Sequence, residues 1–303
     1  AHHVFRQSNE DFPAIKYQEE FSEYQEINWN SLTQKTLEFQ KILTQNKVHF
    51  GDRVVAYCCN TPESVAAFLA VNSLGAIWSS CSPEFGLDAV LDRFDSLRPT
   101  FLFYNSVYYY NGKSIDVNST IEKLKDNLLS LNAYLDLNNH QNFHYKTKSV
   151  QIKCRAVPFD HPIWILSTSG TTGKPKAITH RTGGIILEHF KALAIHQNVK
   201  QKENYFWYST TGWMMWNFAL SSLLLGSTLC IYNGSPNYPD NGTLWRFADR
   251  ANINHFGHGA TYYEGILEKL PKELINHHLN ALKTIGSTGS PLYSKTYHEL
   301  DKI

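Results

Sequence analysis

Leu166-Ser167-Thr168-Ser169-Gly170-Thr171-Thr172-Gly173-Lys174-Pro175-Lys176-Ala177 sets the frame for the whole chain. The run before it, Ile163-Trp164-Ile165-Leu166, has the composition of a buried strand. Five hydroxyls, two glycines and two lysines then fall within ten residues, Ser167 to Lys176. Glycine permits positive φ and lets main-chain N–H groups come close to a ligand. Successive N–H groups make a concave anion site. Hydroxyls add donors, and lysines add charge against phosphate oxygens. The simplest ligand for that chemistry is a nucleotide polyphosphate. The Walker spacing G-x-x-x-x-G-K-[ST] fails, because Gly170 and Gly173 are too close and Pro175 follows Lys174. A plain solvated loop fits poorly directly after an apolar strand, with Pro175 fixing a rigid exit.

Working outward, the flanking pattern alternates strands and helices. Phe12 to Ile27 reads as a strand pair, and Trp29 to Asn46 as a helix with Leu32, Leu37, Phe39, Ile42 and Leu43 on its apolar face. Arg53 to Cys59 reads as a parallel strand buried on both faces. Thr61 and Pro62 cap and open a helix that closes at Gly75, and Ala76 to Ser80 is the next strand. The alternation continues with a helix over Leu87–Leu97, a strand over Phe101–Tyr104, a polar turn at Asn111-Gly112 and a helix over Ile121–Leu131. Residues 136–160 carry little pattern. After the central loop, Gly183-Gly184 opens a helix through Ile195. Strands follow at Tyr205–Ser209, Thr228–Tyr232, Asn254–Phe256 and Leu282–Ser287. Helices lie at Trp216–Leu225, Leu244–Ala251 and Tyr262–Leu270. This is an α/β domain with parallel sheets.

Composition narrows the function. Of 303 residues, 42% are hydrophobic, enough for a sizeable core, and 18% are charged. The net charge of +1 provides no field for nucleic acid or an anionic membrane. No apolar run reaches 18 residues, so no transmembrane helix is expected. Cys58, Cys59, Cys81, Cys154 and Cys230 lack metal-ligand spacing and read as reduced thiols of a cytosolic protein. The sequon Asn118-Ser119-Thr120 is then a chance match. His255 and His258 have no third ligand at metal-site spacing, and no metal site is expected. His180 either packs under the loop or caps its strand.

Three further features carry chemistry. Gly286-Ser287-Thr288-Gly289-Ser290-Pro291-Leu292 follows its strand directly. Ligands of open α/β sheets bind beyond the carboxyl ends of strands, so this turn and the central loop suit two parts of one nucleotide. Thr210-Thr211-Gly212-Trp213-Met214-Met215-Trp216-Asn217 holds two of the seven Trp residues and both Met residues of the chain. It reads in part as core packing and in part as a pocket wall, where flexible Met shapes an irregular surface. Arg93 reads equally well as a surface helix arginine beside Asp92 and Asp95, or as a ligand contact.

The central string resembles the phosphate loop of the acyl-adenylate-forming enzymes, the acyl-CoA synthetase and luciferase superfamily. Their pattern is [ST]-[ST]-G-[ST]-T-G-x-P-K-G. Ser169 to Lys176 match it, and Ala177 replaces the final glycine. Gly75 to Gly86, Gly212 to Asn217, Gly286 to Leu292 and the Ala177 departure together resemble the acetoacetyl-CoA synthetase branch. The resemblance runs from about Phe12 to the end and weakens around residues 105–160. It implies the large N-terminal domain of that superfamily, with mixed or parallel sheets flanked by helices. The substrates it implies are ATP with Mg²⁺, a short carboxylic acid such as acetoacetate, and CoA. An acyl-AMP intermediate forms first and the CoA thiol then displaces AMP.

By the same resemblance, Thr168, Ser169, Gly170, Thr171, Thr172 and Gly173 hold ATP, together with the turn Gly289, Ser290 and Pro291. Ser290 stands where acetyl-CoA synthetases carry an acid. Lys174 and Lys176 neutralise phosphate charge. Trp213, Met214, Met215 and Thr288 line the acyl pocket, with Thr288 placed to donate to a ketone, and Arg93 meets CoA. The Mg²⁺-ligand motif, the ribose-binding Asp, the hinge and the small C-terminal lid with its adenylation lysine are expected beyond Ile303. Residues 1–303 then form a partial AMP-binding domain, inactive alone. Its partners are small molecules in the cytosol, with no nucleic acid or membrane. The alternatives are a ligase for acetate or propionate, or a non-catalytic nucleotide-binding protein.

Overall fold

The computed structural model describes residues 1–143, 151–168, 173, 175–267 and 279–301. Two six-stranded sheets organise them. The first runs β14 (Thr284–Thr288), β13 (His255–Gly259), β11 (Asn204–Trp207), β12 (Thr228–Asn233), β1 (Ile15–Glu19) and β2 (Gln25–Ile27). All its neighbours are parallel except β2, which pairs antiparallel with β1 at the edge. The second runs β10 (Ala177–Arg181), β9 (Pro162–Ser167), β4 (Ile77–Cys81), β3 (Arg53–Tyr57), β5 (Phe101–Tyr104) and β8 (Ala133–Asp136). Here only the edge strand β10 is antiparallel. A separate hairpin joins β6 (Val107–Tyr110) to β7 (Lys113–Asp116).

Strand periodicity explains the layering. Successive residues point to opposite faces, so in β11 Tyr205 and Trp207 enter one core and Phe206 another. The largest core joins one face of each sheet around α2 (Trp29–Gln45), α3 (Pro62–Ser73) and α7 (Met214–Leu220). The other face of the first sheet packs on α8 (Thr243–Arg250), α9 (Ala260–Leu267) and α10 (Ser294–Leu300). The other face of the second packs on α4 (Leu87–Phe94) and α5 (Asn118–Asn127). The short α1 (His2–Phe5) adds Val4 to the central core, and α6 (Thr182–Phe190) follows β10. Every residue of α3 except Asn72 is buried, as a helix apolar on all sides requires. Its start is as read: the Thr61 hydroxyl oxygen accepts from Ser64 N at 3.4 Å, and Pro62 occupies the first turn. Gly75 closes it at φ +72°, with the Phe50 ring where a Cβ would stand.

Some boundaries differ from the sequence reading. The central loop leads into a returning strand, β10, before any helix begins. The helix opened at Gly183-Gly184 starts at Thr182 and changes to a π-helix over Lys191–His196. The expected helix over Leu87–Leu97 ends as a 3₁₀ turn over Asp95–Leu97. The one expected over Ile121–Leu131 runs from Asn118 to Asn127. Residues 268–270 of the expected Tyr262–Leu270 helix lie outside the described residues. Among the described residues no helix is long and apolar enough to cross a membrane.

Candidate active site

The carboxyl ends of β3, β4 and β11 bring the two sheets together, and side-chain bonds lock them there. Thr211 Oγ1 donates to the Cys58 carbonyl at 2.7 Å. Ser80 Oγ donates to the Thr211 carbonyl at 2.7 Å. Asn60 Nδ2 donates to the Ser209 carbonyl at 3.3 Å, while Asn60 Oδ1 accepts from Trp216 Nε1 at 2.9 Å. Thr211 is completely buried, so its satisfied hydroxyl is required there. The polar residues between strand end and helix therefore form a joint between the sheets.

The Gly-Trp string divides at this joint. Trp216 stacks on Trp78 at 6.2 Å and belongs to the central core. Trp213 and Met214, at 53% and 44% exposure, face outward, and Met215 packs on the core edge. Gly212 passes close to Phe85: a Cβ there would stand 3.1 Å from Cε2 of that ring. The Phe85 ring also carries the Arg93 guanidinium, 4.8 Å from its centroid. Arg93 Nη1 also donates to Ala89 O of its own helix at 2.6 Å. Arg93 thus reaches the Gly212 turn through one aromatic ring.

The central loop is the tip of the β9–β10 hairpin. Ser167 pairs with Ala177, Thr168 N donates to Lys176 O at 3.0 Å, and Lys176 N donates to Thr168 Oγ1 at 3.1 Å. These bonds close the mouth of the loop. Among the described residues nothing stands within 4 Å of where a Gly173 Cβ would be. Ser169, Gly170, Thr171, Thr172 and Lys174 lie outside the described residues. The second turn leaves β14 at Thr288, with Gly289 at φ +89° and Gly289, Ser290 and Pro291 exposed. Thr288 pairs with Gly259 at the end of β13.

Aromatic residues line the space between these ends. His258 stacks between Tyr208 at 4.7 Å and Tyr262 at 3.8 Å. Its Nδ1 accepts from Gly259 N at 2.7 Å, which leaves Nε2 to carry the proton. Burial pushes its pKa down to about 3, so the ring stays neutral. Among the described residues His258 Nε2 and Thr210 Oγ1 are buried with no hydrogen-bond partner. Unmet buried polar atoms of this kind suit a site that a polar ligand completes. A small cavity of 30 Å³ lies beside Thr210, bounded by Asn60, Glu84, Tyr108, Tyr110 and Tyr208.

His255 points to the opposite face from His258. Its Nε2 bonds Glu203 at 2.7 Å and its Nδ1 bonds Thr284 at 2.8 Å. Among the described residues no group of three His, Cys, Asp or Glu stands ready for a metal. His180 lies in β10 with its ring 5.8 Å from Trp164.

Sequence reasoning did not find the β6–β7 hairpin that carries Tyr108 to Tyr110 to this space. Its signal was present: Asn111-Gly112 between two short β-rich runs is a two-residue hairpin turn, and both residues have positive φ. Nor did it find Glu20. That carboxylate accepts from Asn111 N and Gly112 N at 2.8 Å each and from Ser235 N at 2.6 Å. It pins the hairpin to the first sheet, and no local pattern announces such a long-range contact.

Known proteins are similar to this chain in sequence and in fold. Acetoacetyl-CoA synthetase of Mus musculus is 35% identical over 291 residues, covering 89% of this chain and 43% of the mouse protein. Acetoacetyl-coenzyme A synthetase of Rhizobium meliloti (strain 1021) is 36% identical over 280 residues, covering 88% of this chain and 43% of that protein. The solved structure of acetoacetyl-CoA synthetase from Streptomyces lividans superposes with a TM-score of 0.92 at 35% identity, covering 99% of this chain and 48% of that one. The chain thus spans a little under half the length of the relatives it matches. The family model described as AMP-binding enzyme matches residues 2–303. The chain belongs to the AMP-binding enzyme family.

Proposed function

We propose that this chain supplies the nucleotide- and acid-binding part of an acetoacetate–CoA ligase. The carrying observation is the Gly212–Asn217 string at the sheet joint, with Trp216 fixed in the core and Trp213 and Met214 open. Similarity to acetoacetyl-CoA synthetases over about nine-tenths of the chain supports the same reading. In the first step the acid carboxylate attacks the α-phosphate of ATP, giving acetoacetyl-AMP and pyrophosphate. In the second the CoA thiol attacks the acyl carbon and AMP leaves.

The chain's work is placement and charge neutralisation. Thr168 and Lys176 brace the loop whose hydroxyls, glycine amides and Lys174 would hold the β- and γ-phosphates. Gly289, Ser290 and Pro291 would flank the adenine. Trp213, Met214, Met215 and Thr288 would surround the acid, and Arg93 would meet the nucleotide end of CoA. Mg²⁺, when bound, supplies neutralisation of phosphate charge. The test is acid-dependent ATP–pyrophosphate exchange by the full-length natural protein. Acetoacetate is expected to support it far better than acetate, propionate or butyrate. Equal or better exchange with acetate or propionate would reassign the acid, and no exchange with any acid would refute the ligase reading.

A further inference from the structure

Gly257 and Gly286 face each other across the middle of β13 and β14. Glycine weakens a strand interior, and its presence there marks a close approach. The approaching group is the indole of Trp207, from the neighbouring strand β11, where Trp207 pairs with Gly257. A Cβ on Gly257 would overlap Cε3 and Cδ2 of the indole, and one on Gly286 would come within 2.6 Å of Cζ3. The ring therefore lies flat over both glycines. Above it, Phe218 of α7 makes an edge contact at 6.3 Å, and only 7% of Trp207 is exposed. The indole is a plate clamped between sheet and helix.

Thr288 lies two residues beyond Gly286 on the same strand and so on the same face. In the ligase reading the acid enters at the strand ends beside Thr288, and the indole over Gly286 lies one pleat below it, a depth of about 7 Å. That depth fits a four-carbon keto acid. On the far side of the plate lies a further cavity of 280 Å³, lined by His196, Gln197, Tyr205, Thr284 and the two glycines. Trp207 lines that cavity at Gly286, which lies between Thr284 and Thr288 along β14.

We propose that Trp207 is the chain-length-determining residue of the acid site, closing the pocket below Thr288 and shutting acids off from the cavity beyond. This rests on the ligase reading above. The two glycines are the complementary half of the device, because any side chain there would displace the plate. Shortening Trp207 joins the spaces and admits longer straight-chain acids.

The experiment is ATP–pyrophosphate exchange by the full-length natural protein with acetoacetate and straight-chain acids of two to eight carbons, for the wild type, Trp207→Leu and Trp207→Phe. In the wild type, kcat/KM is expected to fall by about 100-fold between butyrate and hexanoate. In Trp207→Leu that step shrinks below about tenfold, with hexanoate gaining in absolute terms while acetoacetate loses. Trp207→Phe, which keeps a smaller plate, falls between them, and alone decides the matter if the Leu variant does not fold. An unchanged cut-off, or equal loss on all acids in a folded variant, overturns this inference and leaves the ligase reading standing. No exchange by the wild type with any acid overturns both.

Discussion

Acidification from pH 8 to pH 5 is expected to weaken the fold through His189. This residue, on α6, is 3% exposed. Its Nδ1 bonds Ser221 Oγ at 2.6 Å, and its ring packs against Trp164 at 5.7 Å and Phe218 at 5.0 Å. Burial among these rings pushes the pKa down to about 4, with Glu188 opposing and His180 adding to the shift. The unfolded chain takes up the proton near pH 6.5, well before the folded one does. Stability from this group is therefore complete above pH 6.5 and is lost progressively as pH falls toward 4.

At pH 5 the difference between pKa values of 6.5 and about 4 amounts to about 2 kcal/mol, and below pH 4 to about 3 kcal/mol. Glu63 runs the other way. Burial raises its pKa to about 7, so it adds stability as pH falls below that value. The total pH slope is thus a poor readout, and the difference between wild type and His189→Gln is the diagnostic one. Urea unfolding followed by tryptophan fluorescence at pH 8 and pH 5 measures it. The variant is expected to lose about 2 kcal/mol less than the wild type over that interval. Parallel losses in the two proteins would refute the assignment of a buried neutral imidazole.

Two more outcomes follow from contacts already described, and a third from the proposed ligase reading. Glu20→Ala removes the charged acceptor of three backbone N–H groups; it should cost about 2 kcal/mol and speed hydrogen exchange at Asn111, Gly112 and Ser235. Unchanged exchange at those amides would mean that the hairpin holds itself. Thr211→Val leaves the Cys58 carbonyl without its 2.7 Å donor and should lower stability by about 1–3 kcal/mol, read by urea unfolding. Thr288→Val should cut the preference for acetoacetate over butyrate to within about tenfold in pyrophosphate exchange, since the ketone would lose its donor. A preference that survives intact would remove Thr288 from ketone recognition.

The sequence was most legible where one local cause sufficed. The start of α3 is written in Thr61-Pro62, and the parallel order of β3, β4 and β5 follows from apolar runs separated by helical patterns. β10 was hidden because Ala177 to Arg181 alternates weakly; it is an edge strand with four of its five residues exposed. β8 was hidden for a related reason, since only part of it is covered. At the candidate site, Thr168, Gly212, Trp213 and Thr288 stood out in the sequence because hydroxyls, glycines and aromatics cluster at strand ends. Glu20 and Trp207 were not, because each acts on residues 50 to 215 positions away. Two glycines inside strands were the one available hint of the Trp207 plate, and they carry meaning only once β13 and β14 are known to be neighbours.

The first sheet has a consequence for how the chain comes off the ribosome. Ile15 of β1 must find Leu229 of β12, so β1 has no parallel partner until over 200 more residues have been joined. At about 5–20 residues per second, that wait is on the order of 10–40 seconds. During it the second sheet, whose strands all lie between Arg53 and Arg181, has every partner it needs. Synthesis therefore favours a nascent chain with one finished sheet and a stranded β1–β2 ribbon, whose apolar Ile15, Tyr17 and Ile27 stay open to mispairing until β12 emerges.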